Sequence, residues 1–505
     1  MPIIQCKNLQ KSYPPLDLLT NITFSVEVGE RIGLVGRNGC GKTTLLSLLC
    51  RATDPDAGEL MIPKTGIGYL PQNPASVMDT EGFSDMAFYY AARLGLDYEA
   101  FDRMDEASGG ERTKAALSLL FAQDPTVLLL DEPTNHMDIN GIRALSELLR
   151  EFTGTAIVVS HDRYFLDLTV DRIIEIDAGC AVSYAGNYSY YKEEKERLYK
   201  DQLHRYESER KEQRRIEDAI KKTREWAQKG HRDSTKPPSG TPKMGYKEKE
   251  RVKAKKLDSS AQSRIKRLEK RKASGEEKPI EDRKVRFSIS GEAQSGKRIL
   301  EVRDLSMAFG ERCLFRESSF YVHRGEHVAV FGENGCGKST LFSILLGDAD
   351  PVSGDVWISP GRTPHYLPQS TDLFDGESET GLSYLQRQVG VMDGAKRSIL
   401  HQMGIETRHL SIPLMNLSYG EKMKIRLAEP ILRQTEFLIL DEPTHHLDLP
   451  TREALEDTLK EYGGTLLVVS HDIYFLQKVC DKVLLFEEGH IRRMEQSFAE
   501  LFPHE

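Results

Sequence analysis

A chain of 505 residues is too long for one compact core and suits two or three domains. With 39% hydrophobic and 29% charged residues the composition is that of an ordinary soluble protein, and no apolar run reaches the ~18 residues a membrane span needs. The net charge of −9 excludes a globally basic nucleic-acid binder but leaves room for a local basic patch. The opening MPIIQCKNLQ lacks a basic stretch followed by an apolar one, so it does not read as a secretory signal. Seven cysteines (Cys6, Cys40, Cys50, Cys180, Cys313, Cys336 and Cys480) show neither metal spacing nor a CxxC pair and read as reduced cytosolic thiols.

In chain order, the apolar run RIGLVG predicts a buried strand and TTLLSLL a helix. Between and across them run Gly36, Arg37, Asn38, Gly39, Cys40, Gly41, Lys42, Thr43 and Thr44. This GxxxxGK[ST] pattern is a phosphate-binding loop. Its glycines let backbone N–H groups converge on phosphate oxygens, and the helix N-terminus that follows favours anions. Lys42 would reach the β and γ phosphates, and Thr43 would place a hydroxyl on Mg²⁺. Gln72, after GYLP, is a polar tip suited to Mg²⁺ or water, or a plain turn residue. Ser108, Gly109 and Gly110 precede the helical run RTKAALSLL. Ser108 reads as an N-cap, and the same geometry makes a second anion site. With the loop already on the phosphates, that site must act on another face of a nucleotide.

VLLLDE predicts a buried strand that delivers two carboxylates to the sheet's carboxyl edge. Asp131 would hold Mg²⁺ through its water shell, and Glu132 would polarise an attacking water. Solvation or helix capping is the plainer account of adjacent acids. A third apolar strand, TAIVVSH, delivers His161, which alone is as well explained by structure as by a γ-phosphate contact.

A change of composition then covers roughly 191–295. Residues 191–280 hold 29 Lys and Arg against 17 Asp and Glu, a net of +12, so a basic arm stands on an acidic body. Residues 191–226 lack Gly and Pro and predict one helix about 54 Å long. A Gly- and Pro-bearing stretch at about 228–245 is expected to break it, and a second helical stretch follows at about 246–272. The expectation is an antiparallel helical hairpin with a flexible basic tip. A disordered linker is the alternative.

Every motif then returns. Gly332, Glu333, Asn334, Gly335, Cys336, Gly337, Lys338, Ser339 and Thr340 repeat the loop after HVAVFG. Gln369 follows HYLP; Ser418, Tyr419 and Gly420 open another helical run; FLILDE ends in Asp441 and Glu442; TLLVVSH delivers His471. The offset is 296 at the loop, 297 from Gln72 to Gln369 and 310 at the last three motifs, so the copies are colinear, with 13 extra residues between Gln369 and Ser418. This is a duplicated α/β domain: residues 1–190, a linker at 191–295, and residues 296–505. Repetition favours the γ-phosphate reading of both histidines.

The five motifs, in one order twice, resemble the ATP-binding cassette superfamily: a P-loop NTPase fold in two cassettes joined by a long α-helical hairpin. DEPTNHMD, SHDRYFL and YAGNYSYY are similar to strings of its F subfamily. The resemblance implies an ATPase with ATP and Mg²⁺ as cofactors. It implies head-to-tail closure on two ATP molecules, one between Gly36–Thr43 and Ser418–Gly420, the other between Gly332–Ser339 and Ser108–Gly110. It also implies that Tyr13 and Phe309 stack on adenine, and that the basic hairpin meets ribosomal RNA and tRNA. A monomer with intramolecular closure, in the cytoplasm and off the membrane, is expected. Departures stand at Tyr419, in place of a small residue, at His445 in place of the Asn of Asn135, and at Ile473 in place of the Arg of Arg163. The 36 residues from Gln72 to Ser108 leave no room for the arm of the translation-factor branch. That resembles the antibiotic-resistance members, which protect the ribosome near the peptidyl-transferase region. A housekeeping translation factor, a transporter's ATPase subunit and a DNA-repair ATPase remain alternatives.

Overall fold

The computed structural model describes residues 2–14, 16–74, 84–96, 107–135, 137–235, 297–310, 312–368, 374, 378–403, 405, 407–417, 419–444 and 447–502, with scattered residues of 252–266. Two compact units emerge: Met1–Tyr191 together with Arg283–Glu505, and Lys192–Asp282, which falls within the expected linker.

In the first unit both copies of the duplicated domain repeat one strand order, joined into a single sheet in the first copy and divided into two sheets in the second. The first copy has β1 (Ile4–Tyr13), β2 (Leu16–Val26), β3 (Arg31–Gly36), β4 (Ala57–Met61), β5 (Ile67–Leu70), β6 (Val127–Asp131), β7 (Thr155–Val159), β8 (Arg172–Asp177) and β9 (Cys180–Ala185). They lie in the order β4-β1-β2-β9-β8-β3-β7-β6-β5. The strands from β8 to β5 are parallel, and β6 and β7 are buried along their whole length. Parallel strands covered on both faces must be apolar throughout, which is why they stand out as VLLLD and TAIVV.

The second copy has β10 (Arg298–Phe309), β11 (Arg312–His323), β12 (His327–Phe331), β13 (Ser353–Ile358), β14 (His365–Leu367), β15 (Phe437–Asp441), β16 (Thr465–Val469), β17 (Lys482–Glu487) and β18 (His490–Met494). It forms a three-stranded antiparallel sheet, β11-β10-β13, and a six-stranded sheet, β14-β15-β16-β12-β17-β18. In each copy the strand before the glycine loop lies beside the strand that delivers the histidine, next to the strand that delivers the carboxylates. Strand order alone thus gathers three distant motifs at one sheet edge.

Between the copies runs a seam of buried charge. Arg163, at the start of the helix Arg163–Thr169, reaches from the first copy to Glu456, and to Asp472 Oδ1 at 3.1 Å. Arg452 Nη1 donates to Asp472 Oδ2 at 3.2 Å, and Lys478 Nζ pairs with Glu456 Oε2 at 3.2 Å. Burial pushes the Asp472 carboxyl up, but the guanidiniums of Arg163 and Arg452 outweigh it and hold the group below the usual range. Ile473, where the repeat would place a second arginine, sits instead in an apolar cluster of the second copy that also takes in Ile139 and Tyr164 of the first. One arginine therefore faces two carboxylates from the other copy, with no counterpart across the repeat.

Beside it Asp167 accepts from three donors: Ser189 N at 2.7 Å, Ser189 Oγ at 2.6 Å and Tyr474 Oη at 2.5 Å. Ser189 stands in the first turn of the long helix Tyr188–Thr235. Within this helix exposed pairs such as Glu196–Lys200 add i,i+4 support. The helix runs 48 residues, about 72 Å, and so passes the expected break at 228. Gly230 inside a helix costs only about 1 kcal/mol against Ala, whereas Pro237 and Pro238 bar continuation. The expected tip beyond residue 235, including Lys236, Lys243, Met244 and Tyr246, lies outside the described residues. Among the described residues no helix is long and apolar enough to cross a membrane, and all seven cysteines are free.

Removing Arg163 should leave Asp472 and Glu456 buried with too little positive charge. Arg163→Met is expected to cost about 3–5 kcal/mol, read from the denaturant midpoint. Substituting the partly exposed Arg93, which pairs with the exposed Glu151, should move that midpoint far less. Equal effects would show that the seam is wet.

Candidate active sites

Each glycine loop turns into its helix through a left-handed residue, Gly41 at φ 104° and Gly337 at φ 107°. A Cβ on Gly41 would come 2.6 Å from Leu19, so only glycine fits there. Lys42 Nζ folds back onto the carbonyls of Gly36 at 2.8 Å and Arg37 at 3.1 Å. Lys338 does the same to Gly332 and Glu333, both at 2.8 Å. Both lysines are nearly buried, so each loop holds a fixed cation beside a helix N-terminus whose first N–H groups have no intrahelical partners.

At the strand ends the carboxylates meet this charge. Asp131 accepts from the Thr43 hydroxyl, and Asp441 Oδ2 from Ser339 Oγ at 3.1 Å. Burial raises both carboxyls above the usual range. Tyr366 Oη also donates to Asp441 Oδ2, at 3.2 Å, a contact the sequence reading missed; the tyrosine shared by GYLPQ and HYLPQ was the available signal.

Glu132 and Glu442 both have left-handed backbones, φ 53° and 49°, a conformation that costs an L-residue about 1–3 kcal/mol. The sharp turn aims each carboxylate back over the sheet edge. Each accepts from a histidine backbone, His161 N to Glu132 Oε2 and His471 N to Glu442 Oε2, both at 3.3 Å. The other oxygens, Glu132 Oε1 and Glu442 Oε1, are buried without a hydrogen-bond partner, 3.6 Å from the histidine Nε2 atoms. Those Nε2 atoms pair with Asn38 Oδ1 at 3.1 Å and Asn334 Oδ1 at 3.0 Å. Loop asparagine, histidine and glutamate thus form one chain in each copy. Burial pushes Glu132 up to about 7, with Lys42 and Arg452 pulling the other way. Burial, then Lys42 and Arg452, hold His161 well below its ordinary value, so its ring is neutral at pH 7.

Ser108 caps the helix Gly109–Ala122 through a reciprocal pair with Glu111. That helix start faces the other copy's loop across a cavity of about 580 Å³, lined by Ser108, Gly109, Gly110, Phe309, Asn334, Gly335, Gly337, Lys338, Ser339, Thr340, Asp441, Glu442 and His471. On the reciprocal side Asn38 N donates to Asp448 Oδ2 at 3.3 Å. Asn140 Nδ2 donates to Glu333 Oε1 at 3.0 Å, a second tie between one copy's loop and the other's sequence after the carboxylates. Tyr13 and Phe309 are both about half exposed, and Gln72 is exposed past the end of β5. Gln369, Ser418, His445 and the ring of Tyr419 lie outside the described residues. Arg37, Gly39, Cys40, Thr44, Cys336 and Gly420 stand in or next to the loops and helix starts as the sequence places them.

A lysine-closed glycine loop, an acidic strand end and a helix start donated by the other copy define a P-loop nucleotide-hydrolysing protein with two composite sites. A family model described as ABC transporter matches residues 19–135 and 315–445, and a second of the same description matches 174–236. The chain is 37% identical over 493 residues to the ribosome protection protein VmlR of Bacillus subtilis strain 168, covering 97% of this chain and 88% of that one. It is 28% identical over 547 residues to the energy-dependent translational throttle protein EttA of Escherichia coli K12, covering 96% and 92%. An archaeal ribosome recycling factor, aABCE1, solved in complex with the ribosomal stalk protein aP1, shares the fold at TM-score 0.64 and 19% identity, covering 96% and 89%. The chain belongs to the ATP-binding cassette superfamily and, within it, to the F subfamily; it binds ATP and is an ATPase.

The raised carboxyl of Glu132 ties stability to pH. A carboxylate raised in the folded state binds its proton more tightly there than in the unfolded chain. Stability is therefore lost as pH rises from the ordinary 4.5 to about 7, and stays lost above. Glu132→Gln should stabilise the nucleotide-free protein at pH 8, by up to about 3 kcal/mol, and much less at pH 5. Thermal unfolding at the two pH values checks this; no gain at pH 8 would mean that water reaches the carboxylate.

Proposed function

We propose that this chain is a ribosome-binding ATPase that protects the ribosome from antibiotics acting at the peptidyl-transferase region. It binds when closed on ATP and leaves on hydrolysis. The observation that carries this reading is the 37% identity, along 97% of the chain, to the relative named ribosome protection protein. A housekeeping translation factor is the second reading, favoured by the match to the relative named translational throttle protein. The short Gln72–Ser108 stretch weighs against it. A transporter's ATPase subunit would have no use for the basic segment. The site of action is the cytoplasm, and the protein works as a monomer.

In this reading each ATP lies between one cassette's loop and the other's serine–glycine helix start. Tyr13 and Phe309 stack on adenine. Lys42 and Lys338 exchange loop carbonyls for phosphate oxygens. Among the described residues no three His, Cys, Asp or Glu could hold a metal by themselves, so a divalent cation here leans on phosphate oxygens. Mg²⁺, held by Thr43 and Asp131 with Gln72, or by Ser339 and Asp441 with Gln369, would neutralise charge on the phosphates. The unpartnered oxygens of Asp131, Glu132 and Glu442 suit that cation and an attacking water. Glu132 and Glu442 orient the water and take its proton, while His161 and His471 hold the γ-phosphate.

Glu132→Gln with Glu442→Gln should keep ATP binding but slow phosphate release by at least ~100-fold. The closed form should then accumulate on ribosomes. A normal rate would remove both glutamates from the mechanism.

Lysines and arginines of 221–270, net +11, are assigned the RNA contact. Co-sedimentation with ribosomes should fall steeply as salt rises. Replacing 229–244 by a minimal turn should abolish drug protection in cells while ATPase activity and ribosome binding survive. Unchanged protection would rule out the tip mechanism. Absence of protection by the full chain against any peptidyl-transferase drug would favour the housekeeping reading.

A further inference from the structure

The duplication supplies an internal control for surface chemistry. Strands β1, β2 and β4 pair in the same register as β10, β11 and β13. Ile4 faces Val26 as Leu300 faces Val322, and Gln5 faces Ser25 and Met61 as Glu301 faces Tyr321 and Trp357. The inward positions stay apolar and buried in both copies: Ile4 and Leu300, Cys6 and Val302, Leu9 and Leu305. The outward ones do not match. Where the first copy has Met61, Ser25 and Val28, the second has Trp357, Tyr321 and Arg324. The fold is satisfied by the first set, so it does not require the second.

What the second set builds is an aromatic and cationic face. Trp357 is 46% exposed, a large ring left in water. The Arg298 guanidinium lies over the Tyr321 ring, 4.8 Å from its centre. Glu301 accepts from Arg298 Nη1 at 2.9 Å and Arg303 Nη2 at 2.8 Å, which fixes both guanidiniums while using only part of their five donors each. A groove of about 600 Å³ runs beside Trp357 between Lys297, Arg298, Arg303 and Arg324 on one hand and Glu301 and Asp355 on the other, a net of +2. Arg324 Nε is buried there without a partner.

We propose that the outward face of the β11-β10-β13 sheet binds an unpaired RNA strand. A base stacks on Trp357, a second can lie on the free plane of Arg298, and the remaining guanidinium donors meet phosphates. A sheet face with an exposed ring among fixed guanidiniums suits a strand that presents bases and phosphates in alternation. A duplex hides its bases and an acidic peptide offers none. The proposal rests on the ribosome reading for its source of RNA, but not for its chemistry.

The chain has two tryptophans, Trp226 and Trp357, so Trp226→Phe leaves Trp357 as the sole indole reporter. Titrating that full-length protein with a short oligoadenylate at low salt should quench Trp357 emission saturably. Arg298→Glu with Arg303→Glu should weaken the response at least about tenfold, with ATPase rate and melting temperature held. In a competition assay, Trp357→Met, the first copy's own residue, should weaken oligoadenylate binding to a similar extent. No quenching, or equal quenching by a duplex RNA, overturns the proposal; equal quenching by polyglutamate overturns it in favour of an acidic protein partner. Quenching by free RNA in a chain that does not co-sediment with ribosomes would sink the ribosome reading and leave the RNA-binding face standing. The reverse result would sink the face alone.

Discussion

Arg163 gives up nearly all its hydration to reach Glu456 and Asp472 from the other half of the molecule. A buried cation is tolerated only where opposite charge is supplied at hydrogen-bond distance, and here that charge comes from the second cassette. Once the pair is made, the two halves share a registry. Asp472 follows His471 directly and caps the next helix through Phe475 N at 3.0 Å, so the charge at the seam also fixes the loop that carries a site histidine. Arg452, on the same carboxylate, lines the cavity and acts on Glu132 and His161 of the other cassette. Seam and sites are one electrostatic system.

The two sites are built alike but are not surrounded alike. Asparagine, histidine and glutamate repeat their distances to within about 0.1 Å between the copies. The arginine that crosses the seam has no twin, since its counterpart is Ile473, buried among apolar side chains. Duplication preserved the chemistry and let the scaffold around it diverge. The same freedom shows on the outer sheet faces, where Met61 and Trp357 occupy matched positions.

Much of this was legible in the sequence because it is local. A parallel strand covered on both faces has to read as VLLLD or FLILD, and a loop that wraps phosphates needs its glycines at fixed spacing. Lys42, Glu132 and His161 and their repeats could therefore be named in advance, and the structure places each set at one sheet edge. What was not legible depends on contacts across the chain. Arg163 meets partners 293 and 309 residues away, and nothing near it announces them. The hydroxyl of Tyr366 on Asp441 needs the pairing of β14 with β15 to be seen. The long helix ran past its expected break because one glycine weighs little against good helix formers on either side. Gln369, Ser418 and the Tyr419 ring stay as the sequence left them.

Asp167 carries a last implication. Its two oxygens hold the main chain and hydroxyl of Ser189, in the root of the long helix, and the hydroxyl of Tyr474 from the second cassette. A carboxylate so occupied has little room for a fourth donor, and it cannot follow two bodies that part. If the cassettes separate, the clasp must release either the helix root or Tyr474, and the root has two of the three bonds. The first turn of the long helix is thus tied in series to the first cassette, with Tyr474 as the weaker link. Opening of the seam would reach that turn as the loss of the Tyr474 hydroxyl on Asp167, of the Tyr188 hydroxyl on Glu453 Oε1 at 3.5 Å, and of the apolar packing of Tyr188 and Tyr191 with Leu449.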